Sequence, residues 1–239
     1  MIEGLLKEIL QSGAEEFGLN LPDSAITPFY TFYKFLESHG KKFNLTAISG
    51  IEDVARLHFL DSIALMQYID FTNLITIDVG TGAGFPGLPI TIANPTVQMT
   101  LLDATGKRVE FLSQLCKTLE LECICVHDRA ETASHDDKMR CVYDVALSRA
   151  VASLRVLCEL CLPFLRIGGK FLAMKGPSTD RETLEALTTI TALGGEVENC
   201  FEYRIPNTEI FHKVIIISKC SATPDEYPRR FKKILNYPI

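Results

Sequence analysis

No tryptophan occurs among the 239 residues, and no run approaches the about twenty apolar residues that a membrane-spanning helix needs. The start of the chain shows no basic n-region, long apolar stretch or small-residue cleavage site, so no secretory leader is expected. Eight cysteines are too sparse for a disulfide scaffold, and reduced thiols in a cytoplasmic protein are the simplest reading. The Cys158-x-x-Cys161 pair has no second Cys or His pair at ligand spacing, so no metal site is expected. An excess of positive charge is also missing. The net charge of −6 argues against nucleic-acid binding by the whole surface and leaves room only for a local basic face. There is no internal repeat and no low-complexity tract.

The 47% hydrophobic content is enough for one domain, or for one domain with a helical extension. Apolar residues recur at helical spacing over 3–16, from Pro22 to Gly40, and over about 52–69, with Lys41-Lys42-Phe43-Asn44-Leu45-Thr46 as a basic connector. From Leu74 the pattern alternates. Strand-like runs at 74–79, 97–102, 122–127, 142–148 and 169–174 are separated by helix-like runs at about 86–93, 106–120, 153–165 and 179–193. That alternation predicts an α/β fold, a parallel sheet with helices on both faces. The rhythm then changes. Glu196–Arg204 and Lys213–Lys219 have only a loop between them, so they should form an antiparallel pair at one end of the sheet. The expected division is an N-terminal helical extension (1–72), a ligand-binding α/β domain (73–220) and an extended basic tail (221–239) whose cations and aromatics have no core to join.

The β-branched run Ile75-Thr-Ile-Asp-Val79 enters a turn with glycine at 80, 82, 84 and 87. A strand, a glycine turn and a helix start together make a site for a nucleotide-like ligand. The string Gly82-Ala-Gly84-Phe-Pro-Gly87 alone is weak. Asp103 sharpens it, because an acid closing the next strand, nineteen residues past Gly84, accepts hydrogen bonds from ribose hydroxyls. NAD and S-adenosyl-L-methionine both carry such a ribose. Asp78 separates them: it would repel a pyrophosphate and attract the ammonium of a methionine moiety, or else orient the loop. With the antiparallel strand pair, the residues favour S-adenosyl-L-methionine.

In order along the chain stand Phe43-Asn-Leu-Thr46, His58-Phe-Leu-Asp-Ser62, Asp78-Val-Gly-Thr-Gly-Ala-Gly-Phe-Pro-Gly87 and Leu102-Asp-Ala-Thr-Gly-Lys-Arg108. Asp128-Arg-Ala-Glu131, Ser148-Arg-Ala-Val-Ala-Ser153, Met174-Lys-Gly176 and Tyr227-Pro-Arg229 follow. Together they resemble the RsmG (GidB) family, small-subunit 16S rRNA guanine-N7 methyltransferases. The resemblance implies a Rossmann-like class I methyltransferase fold, S-adenosyl-L-methionine as cofactor, and 16S rRNA or the small ribosomal subunit as partner. It implies an enzyme; a monomer is expected, and the missing leader and apolar spans place it in the cytoplasm, away from membranes. Cofactor contacts are then expected at Asp78, Gly80, Gly82, Gly84, Phe85, Asp103, Ala104, Ala130, Glu131 and Arg149. RNA contacts are expected from Lys107, Arg108, Arg149, Lys175, Arg229 and Arg230, with Lys232, Lys233, Lys41 and Lys42 as further cations. Guanine N7 carries a lone pair and no proton, so no catalytic base is nominated. His58, His127 and His135 are given structural or surface roles. The competing readings are an NAD-dependent oxidoreductase and a non-catalytic RNA- or ribosome-binding module on the same fold. Removing 224–239 is expected to weaken rRNA binding and leave cofactor affinity nearly unchanged.

Overall fold

The computed structural model describes residues 2–43, 48–149, 152–176, 179–237 and 239, without the side chains of 40–43 and 180. Asn44, Leu45, Thr46, Ala150 and Val151 of the quoted motifs, and the side chains of Lys41 and Lys42, lie outside what is described.

Three helical segments open the chain: α1 (Ile2–Glu16), α2 (Ile26–Phe43) and α3, a segment running over 51–67. Within α3, Ala55–Leu60 wind as a π-helix, a form that concentrates at functional sites. The α/β part then runs β1 (Ile75–Val79), α4 (Gly87–Ala93), β2 (Gln98–Asp103), α5 (Gly106–Thr118), β3 (Ile124–His127), α6 (Ala130–Ala133) and β4 (Tyr143–Arg149). It continues with α7 (Leu154–Cys161), β5 (Leu165–Lys175), α8 (Asp180–Ala192), β6 (Gly195–Arg204), β7 (Phe211–Lys219) and α9 (Phe231–Asn236).

The seven strands lie in the order β3-β2-β1-β4-β5-β7-β6. The first five pair in parallel, and β7 runs antiparallel to both β5 and β6. The strand pair foreseen at one end is therefore there, with β7 slotted between β5 and β6. Alternation along each strand sends one set of side chains to each face. Met99, Leu101, Val145, Leu147, Leu172, Val214 and Ile216 face a core made with the N-terminal helices, α4 and α5. Ile77, Val79, Leu102, Ala146, Phe171, Ala173, Ile215 and Ile217 face a second core made with α7, α8 and α9. The N-terminal helices thus cover one face of the sheet, with Phe29, Phe32 and Phe59 fully buried in the same core as Leu88 and Phe111.

The C-terminal segment departs from the sequence reading. It is not extended. Arg140 donates to the carbonyls of Thr223, Pro224 and Tyr227, and His135 Nε2 lies 2.9 Å from the Pro228 carbonyl. Arg229 grips Glu159 through Nε and Nη2 at 2.8 and 2.7 Å, and its backbone N–H donates to the same carboxylate. Residues 231–236 then form α9, which buries Ile234 and packs Phe231 on the second core. The reason is amphipathic spacing: Phe231 and Ile234 share a face three residues apart, while Lys232 and Lys233 stay exposed.

Candidate active site

The sheet changes direction of growth between β1 and β4, since β2 and β3 add on one side and β5 on the other. Ligands of open α/β sheets collect at the carboxyl ends of strands at that switch point. The glycine turn after β1 stands there, and a cavity of about 480 Å³ opens over Gly80, Gly82, Phe85, Asp103, Ala104 and Arg149.

The turn is built by two carboxylates. Asp78 Oδ2 accepts from Thr81 Oγ1 at 2.7 Å and from the Gly87 N–H at 2.8 Å, pinning both ends of the loop. Asp78 is 0% exposed and stands behind the loop, off the cavity wall. Of the two roles the sequence left open to it, loop orientation is the one its bonds serve. Burial pushes its carboxyl up to about 6, and Oδ1 has no partner among the described residues. Asp103 holds the loop from the other strand: Oδ2 accepts from the Gly82 N–H at 3.0 Å and Oδ1 from the Thr105 N–H at 2.8 Å. Arg108 Nη1 lies 3.4 Å from Oδ2.

The glycines differ in their reasons. Gly82 has φ +62°, and a Cβ there would meet no atom within 4 Å, because it would point into the open cavity. Gly84 has φ +96°, and its Cβ would fall 2.4 Å from Leu88 Cδ1. Gly82 thus leaves main chain uncovered for a ligand, and Gly84 lets α4 pack tightly against the loop. A ribose-like diol fits the carboxylate of Asp103 at the cavity rim, and the missing Cβ of Gly82 leaves room beside it. The residues present fit an adenosyl ligand.

Beside the main cavity lies a smaller cavity of about 150 Å³ that shares Gly80, Asp103 and Ala104 in its lining and is also lined by Ala130, Glu131 and Phe231. Glu131 Oε1 accepts from Arg129 Nε at 2.7 Å, and the Arg129 guanidinium sits 5.5 Å from the Phe231 ring centroid.

On the opposite flank a buried network surrounds Arg149. Its Nη1 donates to Asp61 Oδ2 at 3.0 Å and to the Leu57 carbonyl at 3.3 Å, and Nη2 lies 3.2 Å from His58 Nδ1. The guanidinium stacks 4.9 Å over the Phe85 ring, on which His58 also stacks at 4.4 Å. Asp61, 1% exposed, takes Tyr203 Oη and His212 Nδ1 on Oδ1, each at 2.8 Å. Burial alone would raise the Asp61 carboxyl, but the His212 hydrogen bond and the Arg149 charge hold it below the ordinary range. Burial, and then the Arg149 charge, push His58 down to about 4, so it is neutral near pH 7 and its Nδ1 accepts from Arg149. Arg149 and His58 also line a third cavity of about 300 Å³, together with Lys175, Gly176 and His212. The two residues stand at the edge where the spaces adjoin.

Of the cofactor residues nominated from sequence, Gly80, Gly82, Phe85, Asp103, Ala104 and Arg149 line the main cavity, and Ala130 and Glu131 line the smaller one beside it. Asp78 and Gly84 shape the loop from behind. Of the nominated RNA cations, Lys107 and Arg230 are exposed and Arg108 is half-exposed on Asp103. Arg149, Lys175 and Arg229 instead turn inward. Lys175 Nζ donates to Glu182 Oε1 at 2.9 Å, and Arg229 is clamped by Glu159. Sequence reasoning did not bring His58, Asp61, Tyr203 and His212 together, and gave Phe231 no place at the site. Only the motif His58-Phe-Leu-Asp-Ser62 carried a signal for the network, through two polar residues three apart on one helical face.

A family model described as rRNA small subunit methyltransferase G matches residues 25–210. A ribosomal RNA small subunit methyltransferase G of Acetivibrio thermocellus is 43% identical over 235 residues, covering 98% of this chain and 97% of the relative. The protein of the same name from Alkaliphilus oremlandii is 41% identical over 237 residues, with 98% and 99% covered. Among solved structures, TrmN from Thermus thermophilus superposes with a TM-score of 0.54 at 17% identity, over 75% of this chain and 52% of that one. The pyocyanin biosynthetic protein PhzM gives 0.53 at 15% identity, over 80% and 62%. At those identities the structural likeness speaks for the fold alone.

Proposed function

Because the chain belongs to the rRNA small subunit methyltransferase G family, we infer that it transfers the methyl group of S-adenosyl-L-methionine to N7 of a guanosine in 16S rRNA. The acceptor follows from the family; the observation that carries the donor is the cavity at the switch point, floored by Gly82 and rimmed by Asp103.

In this reading Asp103 receives the ribose hydroxyls, the main chain at Gly80 and Gly82 lies against the methionine moiety, and Ala130 and Glu131 edge the nucleobase. When bound, S-adenosyl-L-methionine supplies an electrophilic methyl group on a sulfonium. Guanine N7 offers a lone pair and carries no proton, so no group of this chain has to take a proton. The protein's contribution is then orientation and electrostatics. A free guanidinium beside a cationic donor would oppose binding; the contact with Asp61 at 3.0 Å cancels most of that repulsion. His58, kept neutral by burial, adds no further positive charge. Arg149 acts as a positioning residue at the edge where the two spaces adjoin, leaving the line from base to methyl open, and the neighbouring cavity, with Lys175 and His212, is the place for the base.

Accessible bases in folded RNA lie in loops or unstacked segments, so the substrate reaches the rim by its backbone. Lys107, Arg108 and Arg230 supply the cations for it. The chain is read as a monomer and as cytoplasmic with its rRNA substrate. Among the described residues no helix is long and apolar enough to cross a membrane. The test is incorporation of labelled methyl from S-adenosyl-L-methionine into small-subunit rRNA from cells lacking this protein. Incorporation supports the reading, and none would leave a binding module.

A further inference from the structure

The small cavity past Ala104 has an apolar lining of Val79, Leu102, Ala130 and Leu160, and its aromatic wall comes from the other end of the chain. We propose that the C-terminal segment is part of the methyl-donor site: the Phe231 ring forms the wall against which the donor's purine packs, and the Arg229–Glu159 clamp holds it there. The proposal rests on the donor assignment above and deepens it.

Three observations meet at this ring. First, Phe231 lines a cavity of about 150 Å³ that adjoins the main cavity and shares Gly80, Asp103 and Ala104 with it, which puts it within reach of a nucleobase whose ribose sits at Asp103. Second, the ring is oriented from the cavity's own rim. Arg129 covers its face at 5.5 Å and is itself ion-paired with Glu131 at 2.7 Å. Third, the segment that carries the ring is pinned at several points. Glu159, buried in α7, takes three donors from Arg229, and Arg140 reaches three carbonyls of residues 223–227. A purine has two apolar faces and gains from an aromatic wall that is already ordered. The cations of the tail remain on the outside of α9, so one short segment faces RNA on one side and donor on the other. Cofactor affinity should therefore depend on a C-terminus that the sequence alone assigned to RNA.

The test is calorimetric binding of S-adenosylhomocysteine and of adenosine to the full chain. Phe231→Ala should weaken both by about tenfold, the loss expected for one base–aromatic contact. Phe231→Leu, which keeps an apolar anchor for α9, should weaken both as well, whereas Leu235→Ala on the exposed side of the helix should leave both unchanged. Amide exchange across 223–237 should slow when S-adenosylhomocysteine is added. Affinities of the Phe231→Leu protein within twofold of the unaltered chain, or exchange unmoved by ligand, would overturn the proposal. An unaltered chain that bound neither ligand would instead overturn the donor assignment on which it stands.

Discussion

Asp78 and His58 are buried on either side of the glycine turn, and burial pulls their protonation in opposite senses. A carboxyl raised from 3.8 to about 6 binds its proton more tightly in the folded state. Stability linked to Asp78 is therefore full below about pH 4 and falls as pH rises to 6. An imidazole lowered from 6.5 to about 4 binds its proton less tightly when folded. Stability linked to His58 is lost below pH 4 and recovered as pH rises to 6.5. Each amounts to roughly 3 kcal/mol, so the two nearly offset over pH 4–6. Denaturant melts of Asp78→Asn should then show stability rising steeply from pH 4 to 6, and His58→Gln should show it falling; two flat profiles would refute the assignment. At Gly82 the expectation is different. Gly82→Val strains a left-handed backbone position and puts a side chain into the cavity, so S-adenosylhomocysteine binding should drop at least about tenfold in calorimetry, with the fold little changed. These residues were legible to different degrees. Glycines and acids at fixed offsets along neighbouring strands are local patterns, and Asp78, Gly82 and Asp103 could be read from them. The Asp61 network could not, because Tyr203 and His212 come to it from 142 and 151 residues away and no local period joins them.

The strands were foreseen because β1, β2, β4 and β5 come from β-branched and aliphatic runs largely buried on both faces, while β3, at the sheet edge and half-exposed, showed through its place in the alternation. The position of β7 between β5 and β6 was not, since either order keeps the pair antiparallel. The last helix was missed for a physical reason: six residues are too few to show helical periodicity, and such a helix stands only by tertiary contacts. Those contacts centre on Glu159, 1% exposed and bound by Arg229. Arg229→Ala leaves that carboxylate buried and unpaired, which should cost about 3–5 kcal/mol. Thermal unfolding should shift accordingly, and limited proteolysis should cut between 223 and 237; a protein as stable and as resistant as the original would count against the clamp.

Across the whole molecule, a net charge of −6 leaves rRNA binding, as proposed, to a local set of cations. Lys107 and Arg230 are exposed, in the elements that carry the cavity rim and its Phe231 wall. Replacing both with Glu should weaken rRNA binding and lower the slope of log affinity against log salt by about 1 for each phosphate no longer neutralised. Cofactor affinity, read by calorimetry, should stay put. An unchanged salt slope would move the RNA face elsewhere. On the proposed reading, the cofactor cavity and the third cavity adjoin at His58 and Arg149, which line both. The central claim is that the acceptor is a guanine N7 in 16S rRNA. It is tested most directly by mapping N7-methylguanosine, through chain cleavage at the methylated base, on 16S rRNA from cells with and without this protein. The account predicts one guanosine cleaved only when the protein is present. Identical cleavage patterns in the two samples would contradict it.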